Sequence, residues 1–247
     1  MTNALSAFDA HIIGPSHLTK PNYIMLYGNP GSGKSTLAAS IAAVPEYCPV
    51  LIISTEGGLV GILEGYNDEQ IKVLEVSTHE GFNAVFQAVI DDDAAGTLPY
   101  KTVIIDTMDV QFDRALEHYA EVEEARAKPD SFKKWAQVGE WANGVSRGMK
   151  DSNFLGITVL HSKRTKSENG PYEDNLALSG AAKDKAAGVP DIVGFTVREK
   201  RSTTLYVGSS NNRATKSRFE NVLPDEIVDP TMKGILDIIS PKKKEAK

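Results

Sequence analysis

The chain has 247 residues, of which 41% are hydrophobic and 24% charged, with a single cysteine and a formal net charge of −6. That length suits one domain with a substantial core. The acidic balance excludes a globally basic nucleic-acid binder, so any such contact must come from local patches. The lone Cys48 excludes an intramolecular disulfide, fits a reducing compartment and reads as a small buried hydrophobe.

The first twenty residues, "MTNALSAFDAHIIGPSHLTK", lack a basic segment followed by a long apolar one. No secretion signal is expected there, and no window approaches the ~18 apolar residues of a membrane span. The expectation is a cytoplasmic protein with no membrane partner. In chain order, strand-like runs follow at 23–28, 50–55, 71–76, 102–106, 154–161, 191–197, 203–208 and 234–239. Helical patterns lie between several of them. "STLAASIAAV" follows the first run, and Phe82, Val85, Phe86 and Val89 recur with helical spacing. So do Phe112, Leu116, Tyr119 and Val122, and then Trp135, Val138, Ala142, Val145 and Met149. These stripes read as core faces. Alternating strands and helices predict an α/β domain with a mostly parallel central sheet flanked by helices. Short connections between the last three runs predict an antiparallel C-terminal extension. Three parts are expected: an N-terminal segment 1–20 as a candidate oligomer contact, a core 21–240, and a basic tail 241–247.

"GNPGSGKST", Gly28 to Thr36, fits G-x-x-x-x-G-K-[ST] directly after a strand and before a helix pattern. Glycines let successive backbone N–H groups turn inward as an anion nest. The helix that follows aims its positive end at the same place. Gly28, Asn29, Pro30, Gly31, Ser32, Gly33, Lys34, Ser35 and Thr36 are therefore the expected ATP-binding residues, with Lys34 on the β- and γ-phosphates. Ser35 and Asp106, the acid that ends "TVIID", are the expected magnesium ligands, because ligands of parallel sheets bind at the carboxyl ends of strands. Asp109, one turn later, reads as a helix N-terminal charge. No N-K-x-D string closes a strand, which favours ATP over GTP.

Hydrolysis also needs a group that orients the attacking water. Thr107 follows Asp106, so a Glu at that position is missing. Glu56, at the end of "VLIISTEGG", is the substitute. A strand, "GNPGSGKST", a helix, a strand ending "STEGG", one ending "IIDTMD" and one ending "VLHSK" together resemble the RecA/RadA P-loop ATPase core over about residues 20 to 220. The chain is most similar to the short RecA-like ATPases encoded by phages, the Sak-type single-strand annealing and recombination proteins. That resemblance implies catalysis by Glu56 and γ-phosphate sensing by His161, where RecA itself carries Gln.

The resemblance also implies DNA loops. The polar stretch after His161 opens with Lys163, Arg164 and Lys166, followed by Tyr172 as a stacking residue, and a second loop falls at Lys128, Lys133 and Lys134. The Lys-x-Arg of Lys216 and Arg218, with Arg213 nearby, resembles the basic pair that reaches a neighbouring subunit's γ-phosphate. Phe8 and Ala10 have the wrong spacing for the Phe-x-x-A oligomer peg of the Rad recombinases. The implied partners are single-stranded DNA, further copies of the chain in a filament or ring, and a single-strand-binding protein. The expected activity is DNA-dependent ATP hydrolysis driving annealing or strand exchange in the host cytoplasm. A RecA-fold helicase, a helicase loader and an ATP-binding scaffold are the alternatives.

Overall fold

The computed structural model describes residues 19–130, 132–166, 172–210 and 212–240. The segment 1–18 with Phe8 and Ala10, and the basic tail 241–247, lie outside the described residues.

Six parallel strands form the body of the sheet: β1 (Tyr23–Gly28), β2 (Val50–Ser54), β3 (Ile71–Glu75), β4 (Thr102–Asp106), β5 (Leu155–Lys166) and β7 (Ile192–Glu199). Their spatial order is β7-β1-β5-β4-β2-β3. Beyond β7, β8 (Ser202–Tyr206) and β10 (Glu226–Val228) add antiparallel strands, as does the short β9 (Lys216–Ser217) on β7. The sheet is thus mostly parallel with an antiparallel C-terminal extension, as the sequence predicts, although β7 itself runs parallel to β1.

Helices cover both faces, so β1, β2 and β4 are buried at every position and their runs are mostly apolar. Tyr23, Met25 and Tyr27 of β1 pack into one buried cluster, and Ile24 and Leu26 into the other. The first cluster holds α2 (His79–Ala94), α3 (Met108–Glu124), α4 (Lys133–Asp151) and α5 (Ala181–Gly188); the second holds α1 (Lys34–Ala39) and α6 (Met232–Ile239). The expected stripes are core faces, except that Val122 and Trp135 are exposed at their ends. Cys48 is half-buried, with its thiol donating to the Ala42 carbonyl at 3.2 Å.

Two expectations change. The run 234–239 is not a strand but most of α6. Met232, Ile235, Leu236 and Ile239 share one buried face at helical spacing, and the Thr231 hydroxyl caps the start by accepting from the Gly234 N–H. The polar stretch after His161 is not a structureless loop either. β5 continues to Lys166 and pairs antiparallel with β6 (Tyr172–Leu176), and α5 follows. Cross-strand pairing of Arg164 with Asp174 and Thr165 with Glu173 lets this ladder form without an apolar pattern.

Candidate nucleotide site

At the carboxyl end of the parallel strands, β1 opens into the glycine loop. A Cβ on Gly28 would stand 2.5 Å from the Thr196 carbonyl oxygen, so only glycine lets the loop pass this close to β7. Gly33, at φ 92°, holds the left-handed turn before α1. The Ser32 and Thr196 hydroxyls bond at 2.7 Å beneath the loop. Lys34 is buried, and its ammonium donates to the Gly28 and Asn29 carbonyls at 3.1 and 2.9 Å. Burial pulls its pKa below the ordinary lysine value, against Asp106, Asp109 and Glu56, which all favour the charged form.

Asp106 ends β4 level with Ser54 of β2, and its carboxylate meets the Ser35 hydroxyl. Burial raises its pKa; the Ser35 bond opposes this, Glu56 adds to it, and Lys34 and His161 oppose it. Its Oδ1 is buried with no hydrogen-bond partner among the described residues. An orphaned carboxylate oxygen beside a serine hydroxyl suits magnesium, a hard cation that takes oxygen ligands and keeps several waters. The described residues hold no group of three or more His, Cys, Asp or Glu that could bind a metal alone. A magnesium ion here would therefore rest on Ser35, Asp106 and the phosphates of a nucleotide.

β5 lies between β1 and β4, which brings His161 out level with Gly28, between the glycine loop and Asp106. Its Nε2 is 3.9 Å from Glu56 Oε1. Asp109, read from sequence as a helix charge, sits in the first turn of α3 and does more than that reading gave it. Buried, it accepts from the His161 backbone N–H at 2.9 Å and lies 2.8 Å from Nδ1. A carboxylate acceptor there places the proton on Nδ1 and turns Nε2 towards Glu56. Lys34, Ser35, Glu56 and His161 line one cleft of about 260 Å³. Two further residues that the sequence reading missed, Thr196 and Thr203, support the loop; Thr203 lies where a Cβ on Gly33 would come within 2.9 Å of its hydroxyl.

The remaining residues fall elsewhere. Lys163, Arg164 and Lys166 are exposed on the β5 extension directly beyond His161, and Arg164 lies over the exposed Tyr172 ring at 5.0 Å. Lys128, Lys133 and Lys134 belong to the α3–α4 connection and the start of α4, with Lys133 3.8 Å from the buried Glu123. Lys216 donates to the Gly188 carbonyl at the end of α5 at 2.6 Å. Arg218 pairs with Asp191 at 3.5 Å, at the opposite end of β7 from the glycine loop. Arg213 stacks over Tyr206 at 3.9 Å. None of these three lines the cleft of this chain's own loop. Among the described residues, no helix is long and apolar enough to cross a membrane.

A family model described as an AAA domain matches residues 20–219. No curated protein matches the chain.

Proposed function

The chain belongs to the AAA-domain family of P-loop ATPases, and from that premise we propose a RecA-like ATP hydrolase that works on single-stranded DNA by annealing or strand exchange. In this reading Lys34 and the loop N–H groups hold the β- and γ-phosphates. Glu56 accepts a hydrogen bond from the attacking water and aligns it with the γ-phosphorus, giving ADP and phosphate. His161, oriented by Asp109 through Nδ1, would meet the γ-phosphate oxygens with an Nε2–H when the ring carries both protons. Ser35 and Asp106 would hold magnesium, which would supply neutralisation of the phosphate charge.

The observation that carries the DNA half of the proposal is the continuity of β5. One unbroken strand runs from His161, beside Glu56, to Lys163, Arg164 and Lys166. Between them the Ser162 hydroxyl donates to the Asn29 side-chain oxygen of the glycine loop at 2.7 Å. A γ-phosphate that moves His161 or Asn29 therefore acts on the strand bearing the cations that suit a DNA backbone. Lys128, Lys133 and Lys134 form the second DNA contact in this proposal. Arg213, Lys216 and Arg218 act in trans on a neighbouring copy in a filament or ring, and a single-strand-binding protein coats the DNA that is acted on.

The test is ATP hydrolysis with and without single-stranded DNA, for the natural protein and for Glu56→Gln. The proposal expects stimulation by DNA, and a Gln variant that binds ATP without turning it over. Turnover indifferent to DNA would reject the DNA half in favour of an ATP-dependent scaffold. Directional unwinding of a tailed duplex without annealing would favour a helicase.

A further inference from the structure

Glu56 lies between two clefts. One is the nucleotide cleft; the other, about 430 Å³, lies against the ends of β2 and β3 and is lined by Glu56, Glu75 and Arg114. Arg114, on α3, is half-buried. Its Nη2 donates to the Thr55 carbonyl at 2.9 Å and its Nη1 to the Val76 carbonyl at 3.1 Å. Both carbonyls lie one residue beyond the end of their strands.

Thr55 immediately precedes Glu56, and its other polar atoms are taken by the end of β4. Its N–H donates to the Asp106 carbonyl at 2.8 Å, and its hydroxyl bonds the Thr107 carbonyl and N–H at 2.7 and 2.9 Å. The Thr55 carbonyl belongs to the planar peptide unit that carries the Glu56 nitrogen. Fixing that oxygen fixes the plane from which Glu56 leaves the strand. Arg114 is the side chain that fixes it.

We infer that Arg114 is a positioning residue for ATP hydrolysis, setting the direction of Glu56 by clamping the Thr55 carbonyl against that of Val76. The inference rests on the water-orienting reading of Glu56. A guanidinium suits the task because its donors form a rigid planar fork that serves two acceptors at once. A lysine ammonium of equal charge is a single point on a flexible stem and lacks that fork. The reaction tolerates little error here, since displacing a reacting group by about 1 Å costs up to about 100-fold in rate. Arg114 does not line the nucleotide cleft and bonds neither Ser35 nor Asp106, so its loss acts on turnover and leaves nucleotide affinity in place.

The experiment compares the natural protein with Arg114→Lys, Glu56→Gln and the double variant. It measures kcat, KM for ATP, ATP affinity at equilibrium, and the thermal midpoint that confirms folding. Arg114→Lys is expected to lower kcat by about 10-fold, with KM and ATP affinity within about twofold. Because Arg114 acts through Glu56, the double variant should be no slower in single turnover than Glu56→Gln alone. An Arg114→Lys enzyme with unchanged kcat, or with KM raised in step with the loss, overturns the inference. So does a double variant slower than Glu56→Gln by the full Arg114 factor. Normal turnover by Glu56→Gln would instead sink the reading of Glu56 itself, whatever the Arg114 variant does. An inactive Glu56→Gln beside a normal Arg114→Lys sinks Arg114 alone.

Discussion

Two aspartates at opposite ends of the sheet are equally hidden, each 5% exposed, and are treated in opposite ways by the fold. At the amino end, Asp191 accepts from the Lys150 ammonium at 2.6 and 2.7 Å and from the backbone N–H groups of Asn22 and Tyr23 at 2.8 and 3.2 Å. At the carboxyl end, Asp106 has the Ser35 hydroxyl, and its Oδ1 has no partner among the described residues. A buried carboxylate costs free energy unless its oxygens are bonded. The chain meets that cost at Asp191 and leaves it standing at Asp106. The difference separates a joint of the fold from a place kept for a ligand.

The comparison is broken most severely at the carboxyl end by removing Lys34. Its ammonium, bonded to the loop carbonyls of Gly28 and Asn29, is poised where phosphate charge must be met. Lys34→Ala should lower ATP turnover by about 10²- to 10³-fold, the scale of losing one charge-stabilising group in a transition state. Phosphate release reads the loss. The urea midpoint should not fall, because a desolvated charge has been removed along with two hydrogen bonds. A variant with turnover near normal would mean that the loop is not the site of chemistry.

At the amino end the expected effect is of similar size but of another kind. Asp191→Ala strips Lys150, Arg218 and two backbone N–H groups of their acceptor. Breaking one side of such a buried pair costs about 3 kcal/mol of stability. Urea denaturation measures it, and ATP affinity per folded molecule should stay at the level of the natural protein, because Asp191 does not line the nucleotide cleft. A selective loss of ATP affinity at full stability would show that the two ends are not separable as joint and site.

This division of labour was only partly legible in the sequence. The glycine loop and Asp106 were readable because each is a local pattern whose chemistry dictates its residues. The position of Glu56 at the cleft was readable because it follows an apolar run whose neighbouring strands also end there. α6 was misread because "GILDII" satisfies a strand as easily as a helix when taken alone, and its helical face is completed by Met232 outside the run. The β5–β6 pairing was hidden because mostly polar cross-strand pairs, one of them the oppositely charged Arg164 and Asp174, line its ladder in place of alternating apolar residues. Asp109 was visible as a charge, but its partner His161 lies 52 residues away, and only the placing of β5 between β1 and β4 brings them together. Asp109→Asn tests that pairing. Asn offers the imidazole an amide in place of a carboxylate, so His161 loses its fixed orientation, and turnover should fall by about 10-fold with little change in ATP affinity. Unchanged turnover would remove His161 from the mechanism.

The smallest effect is the most discriminating, because it predicts a gain. Burial raises the Asp106 pKa above its unfolded value of 3.8, so the folded state holds its proton more tightly than the unfolded state does. As pH rises from 3.8 through the raised value, the unfolded chain ionises first and stability falls. Above that window the ionised carboxylate is a standing cost to the fold. Asp106→Asn keeps the shape and removes the charge. Without magnesium or nucleotide, the variant should therefore melt higher than the natural protein at neutral pH, and it should lack the part of the stability change that falls as pH rises through that window. Adding magnesium and nucleotide should reverse the order, because a ligand stabilises only the form that binds it. Scanning calorimetry across pH, with and without magnesium–ADP, measures both halves. If Asp106→Asn melted lower in both conditions, Asp106 would belong with Asp191 as a joint of the fold, and the contrast between the two ends of the sheet would collapse.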